Sequence, residues 1–129
     1  MNKKIVLISL ALLGVAAAFA FHFLMFRSHL EIQVLDAKRS PDGKWTAVVQ
    51  MEVVSAGMVS NAVYAVRLKG ASQSDKEGDL VINVPVNFPK PKPSIAWSNG
   101  KLVVTLADHQ TYQYLASSVN GITVVMQKN

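Results

Sequence analysis

The 129-residue chain contains no cysteine. That absence excludes a disulfide framework, a thiol nucleophile and a Cys-ligated metal. It also excludes a lipid anchor of the bacterial type, which needs a cysteine at the cleavage point. Charged residues are sparse at 16%, and no block of like charge occurs. The formal net charge of +5 comes largely from one end. Without Lys3, Lys4 and Arg27, residues 30–129 hold ten basic and eight acidic side chains, a net +2. Such a balance does not point to nucleic acid. Gly-x-Ser-x-Gly is missing, as is any glycine-rich phosphate loop.

What is present first is one long apolar run. Residues 5–26, "IVLISLALLGVAAAFAFHFLMF", are 22 positions without a formal charge. At about 1.5 Å per residue they extend roughly 33 Å as a helix, against a hydrocarbon core of about 30 Å. Ser9 and Gly14 suit a membrane helix, and His22 reads as a neutral imidazole near the outer interface. The competing reading is a cleaved signal peptide, with Lys3 and Lys4 as its basic region and Ala18-Phe19-Ala20 as its cleavage site. An apolar region of that kind runs about 7–15 residues, whereas this one continues to Phe26. A retained anchor over residues 5–26 is therefore expected. Lys3 and Lys4 before the helix, against Arg27 behind it, predict a cytoplasmic N-terminus and an extracytoplasmic remainder, periplasmic across an inner membrane.

The expected organisation is a signal-anchor over 1–29 and an extracytoplasmic domain over 30–129, which is one domain of common size. Period-two alternation dominates that domain. In 44–54, Trp45, Ala47, Val49, Met51 and Val53 share one face, with Lys44, Thr46, Val48, Gln50 and Glu52 on the other. In 61–69, Ala62, Tyr64, Val66 and Leu68 turn inward, and Arg67 and Lys69 outward. Residues 101–107 and 122–127 repeat the pattern, burying Leu102, Val104 and Leu106, then Ile122, Val124 and Met126. Strands near 31–38, 80–86, 94–98 and 110–116 complete about eight.

Turn chemistry agrees. Ser40-Pro41-Asp42-Gly43 reads as a hairpin turn, and Asn99-Gly100 and Asn120-Gly121 as tight two-residue turns. The fold class expected is all-β: one N-terminal transmembrane helix, then an antiparallel β-sandwich or small barrel. Its core should include Trp45, Val49, Tyr64, Val66, Trp97, Leu102, Val104 and Val124.

"SPDGKWTAVV" (40–49) resembles the strand-turn-strand signature of WD40-like propeller repeats of the Tol type. It is also similar to segments of small membrane-anchored bacterial β domains of unknown function, whose later tryptophan strand "IAWSNGKLVVTL" (95–106) resembles. The resemblance implies a strand pair at this turn. A complete propeller needs several four-stranded blades, more than this chain can hold, so no site residue is carried over.

Candidate chemistry is thin. Asp108 and His109 form an acid–histidine neighbour pair without a nucleophile motif, and catalysis there is not expected. His29 reads as interfacial. "DKEGD" (75–79) gathers Asp75, Glu77 and Asp79, but its glycine spacing does not fit a calcium loop of the EF type. No metal or other cofactor is expected. The candidate partner contacts are Met58 and Val59, at the tip of a loop over 55–62, and Lys90 and Lys92, set among Pro89, Pro91 and Pro93. The prolines and lysines there equally serve to protect a sheet edge. The expected function is a membrane-anchored, non-enzymatic protein-binding module, with an immunity protein and an accessory subunit of an envelope complex as examples. A carrier of a small apolar ligand and an envelope-targeting hydrolase are the alternatives.

Overall fold

The structure is a computed structural model that describes residues 2–26, 28–73, 78–86 and 91–129. It divides into two units, Met1–Leu30 with Val54–Asn61, and Glu31–Val53 with Ala62–Asn129.

Helix α1 spans Lys3–Phe26. Its first turn holds two lysines and no acid, and Ser9 Oγ donates back to Ile5 O at 2.9 Å, so the hydroxyl is satisfied within the helix. Leu7, Leu12, Leu13, Phe19, Phe21 and Leu24 are all exposed, and together they leave no polar face. A helix that is apolar all round belongs inside protein or lipid. Within Lys3–Leu24 an 18-residue stretch has a mean hydropathy of 2.4 with none of it buried, and the helix is long and apolar enough to cross a membrane.

Nine strands follow among the described residues: β1 Ser28–Arg39, β2 Trp45–Ala56, β3 Val59–Gly70, β4 Asp79–Pro85, β5 Ser94–Ser98, β6 Lys101–Leu106, β7 Tyr114–Leu115, β8 Ser118–Val119 and β9 Ile122–Lys128. They form a sheet of order β1-β2-β3-β4-β7 and a second of order β5-β6-β9-β8. Among the described residues the protein is all-β apart from one N-terminal helix. One core serves both sheets. Ala47, Val49, Tyr64, Val66, Leu68 and Val84 come from the first, and Ile95, Leu102, Val104, Leu106 and Val124 from the second.

Side chains tie the sheet edges together. Lys38 Nζ, on β1, donates to Ile95 O of β5 at 2.9 Å, and Trp97 Nε1 of β5 donates to Lys38 O at 3.0 Å. At the opposite edges β7 leads directly into β8. There Asn120 Nδ2 donates to Asp79 Oδ2 at 2.7 Å, joining the β8–β9 turn to the start of β4.

The structure corrects several expectations. Pairing is not wholly antiparallel: β6 and β9 run parallel, Leu102 opposite Val124 and Val104 opposite Met126. A parallel pair needs a long crossover, and residues 107–121 supply one by visiting the first sheet as β7. The strand expected over 110–116 shrinks to Tyr114–Leu115 because Gln110 is used in a turn. Its backbone N–H bonds Ala107 O, its Oε1 accepts from Ala107 N, and its Nε2 reaches Pro91 O.

Strand β2 is buried on both faces through Ala47, Val48, Val49 and Gln50, so Val48 and Gln50 are not solvent-facing. Lys69 is likewise buried, its ammonium bonded to Gln73 O at 2.9 Å. Between Val66 and Arg67 the β3–β4 register shifts, so that Val66 faces Ile82 while Arg67 faces Leu80. This bulge lets adjacent Val81 and Ile82 both enter the core, which simple alternation forbids. Six of the eight expected core residues are buried; Trp45 and Trp97 are only partly so.

Candidate functional site

The reason the two tryptophans stay half-buried is that both line an open pocket of about 130 Å³, with Ser40, Pro41, Asp42, Gly100 and Ile122. Three turns build its rim. The first, residues 40–43, is held by its own polar groups. Gly43 N donates to Ser40 O at 2.9 Å, and Ser40 N to Trp45 O at 2.8 Å. Ser40 Oγ donates to Asp42 Oδ1 at 2.6 Å and accepts from Trp45 N at 3.1 Å, while Lys44 N also donates to Asp42 Oδ1, at 3.0 Å. Gly43 takes φ of 76°, where a side chain would be strained.

The second turn is Asn99-Gly100, with φ of 50° and 74°, and it closes β5 onto β6. Positive φ at both centres is the geometry that matches hairpin twist and favours Asn-Gly. The third, Asn120-Gly121, has φ of 51° and 80° and delivers Ile122 to the pocket. Trp97 is oriented by its indole N–H bond to Lys38 O, which leaves its ring body available to the cavity wall.

The Ser40 hydroxyl, then the Lys44 backbone N–H, hold the Asp42 carboxyl below its ordinary range. The pocket thus joins two indoles and an isoleucine with one carboxylate that stays ionised at neutral pH.

The sequence candidates lie elsewhere. Met58 and Val59 are 92% and 71% exposed at the β2–β3 turn. Lys92 donates from its ammonium to Leu35 O of β1, 3.4 Å away. Lys90, and with it Pro89, lies outside the described residues. His109 Nε2 lies 3.1 Å from Asp108 Oδ2, so the neighbour pair does form, but both side chains are largely in solvent and neither lines the pocket. Asp75 and Glu77 lie outside the described residues, and Asp79 is used in bonding Asn120. Among the described residues no group of three metal-ligating side chains occurs. His29 is exposed beside the helix end.

A second polar feature went unanticipated. Glu52 Oε1 accepts from Arg67 Nε at 2.8 Å and from Gln50 Nε2 at 2.7 Å, and Arg67 Nη1 reaches Gly78 O. Burial pushes the Glu52 carboxyl up, but the bonds from Arg67 and Gln50 outweigh it and hold it below its ordinary value. Glu52 is the one charged residue of β2, and Arg67 and Lys69 are those of β3, so opposite charges on neighbouring strands were available to pair; the burial of Gln50 had no local signal.

Compared with known protein families, with curated proteins and with solved structures, the chain finds no match. Its functional reading therefore rests on geometry.

Proposed function

We propose that this protein is a membrane-anchored, extracytoplasmic β domain that works as a non-enzymatic protein-binding module, its N-terminus cytoplasmic and its strands outside the inner membrane. The observation that carries the reading is the Trp45–Trp97 pocket. At about 130 Å³ it is smaller than the roughly 300–1,000 Å³ of small-molecule sites, and it is of a size to receive one side chain from a partner. Paired indoles around a concavity are what binding hot spots are made of. The exposed Asp108–His109 pair stands apart from it, which favours contact over turnover. An immunity protein and an accessory envelope subunit are the two roles within this class.

The test is quantitative cross-linking of the full-length protein in its native membranes. Pro41 lies exposed on the pocket rim, so Pro41→Arg should occlude the mouth without touching the core. A defined cross-linked species retained by the parent and lost in Pro41→Arg, with unchanged melting temperature, supports the reading. Equal cross-linking by both proteins removes the pocket from the interface, and a parent that captures nothing overturns the binding module.

A further inference from the structure

The β2–β3 turn carries Met58, the most exposed large apolar side chain among the described residues, and topology says what lies near it. Helix α1 ends at Phe26 and β1 starts at Ser28. Strands β1 and β2 are hydrogen-bonded neighbours of 12 residues each, joined by a short turn in which Ser40 N donates to Trp45 O at 2.8 Å, so β2 runs back along β1 and ends, at Ala56, toward the end where β1 begins. The tip that follows belongs to the same compact unit as the helix, Met1–Leu30 with Val54–Asn61. At about 3.4 Å per strand residue, Met58 lies within roughly 10 Å of the helix end along the strand direction.

Composition at the tip is unusual for a surface in water. Val54, Met58 and Val59 are exposed, as is Leu30 on β1. No residue between Glu52 and Arg67 carries a charge. An exposed strand end in water ordinarily displays lysine or glutamate, which discourages association. Gly57, at φ of 62°, and Met58 form the two-residue connection from β2 to β3, so Met58 sits at the end of a hairpin with Val59 beside it.

We infer that the β2–β3 tip is a second membrane contact: Met58, Val59 and Val54 enter the headgroup and upper acyl region of the bilayer that α1 crosses. The inference rests on the anchored reading of α1. Interfacial elements bury an apolar face only about 5–10 Å deep, which is the reach available to this tip. A helix and a hairpin tip of the same unit then meet the lipid at two points instead of one. The tip is thereby assigned to lipid and not to a protein partner.

The cysteine-free chain allows single-site labelling. Met58→Cys, Leu13→Cys and Lys101→Cys of the full-length protein each receive an environment-sensitive fluorophore in vesicles of phosphatidylcholine and phosphatidylglycerol. Each is then challenged with a spin-labelled lipid and, separately, with aqueous iodide. Met58 should give blue-shifted emission that shallow spin-labelled lipid quenches and iodide does not, Leu13 should be quenched only by deep labels, and Lys101 by iodide. A lipid-quenched Leu13 with an iodide-quenched Met58 overturns the inference and leaves the anchor standing. Shielding of Met58 from both quenchers identifies a protein contact and also overturns it. Iodide quenching at Leu13 overturns anchor and tip together. Matching thermal melts of the three labelled proteins show that the fold is intact.

Discussion

Arg67 Nε sits 2.8 Å from Glu52 Oε1, binding β3 to β2 through a carboxylate that is largely shielded from water, since 14% of the Glu52 side chain is exposed against 25% for Arg67. Gln50 donates a second bond to the same oxygen. A carboxylate so placed is favoured only while its partners remain. Removing one partner leaves a charge half-desolvated, which costs more than the pair itself contributes.

The first prediction is a pH dependence. Because the folded Glu52 pKa is lowered from its ordinary value of 4.5, its contribution is fully present above that value and is lost as pH falls through the lowered folded pKa. Glu52→Gln should flatten the acid limb of a stability-against-pH curve measured by urea unfolding. At neutral pH, Arg67→Leu should destabilise by about 1.5–3 kcal/mol, the range for hydrogen bonds to charged groups. An acid limb identical in Glu52→Gln and the parent removes Glu52 from the account.

The second concerns strand β2. Val49 belongs to the shared core, and its truncation to alanine should cost on the order of 1–3 kcal/mol. Val48 is equally inaccessible on the other face, so Val48→Ala should also be measurably destabilised. Parent-like melting of Val48→Ala would show that its face is open in solution.

Trp97 offers a third measurement. Trp97→Phe keeps an aromatic body at the pocket but deletes the indole bond to Lys38 O. The expected loss is about 0.5–1.5 kcal/mol, one ordinary hydrogen bond. Amide exchange should quicken along the adjoining edges of β1 and β5. Unchanged exchange there would mean that Lys38 Nζ bonded to Ile95 O suffices to hold the two edges.

A fourth outcome separates contact from catalysis. Asp108→Ala and His109→Ala remove an exposed pair, so melting temperature and partner cross-linking should both stay at parent values. His109 takes φ of 62°, which is costlier for most side chains than for glycine, and His109→Gly should be mildly stabilising for that reason. Loss of cross-linking in folded Asp108→Ala would move the working surface to this turn.

Local chemistry determined a large part of this protein. The length and apolar composition of the run over residues 5–26 predict the helix that forms, and period-two alternation predicts a strand over 101–107 with inward Leu102 and Val104, found as β6. Asn99-Gly100 and Asn120-Gly121 appear where expected because few other dipeptides accept two positive φ angles. Tertiary structure alone decided the parallel pairing of β6 with β9, the burial of Val48 and Gln50, and the bulge that admits both Val81 and Ile82. It alone brought three turns, far apart in the chain, to the rim of the pocket between Trp45 and Trp97. Alternation records which face of a strand is apolar, but not which strand lies beside it or what covers its other face. Those depend on contacts between distant residues, whose geometry exists only after the sheets have closed over a common core.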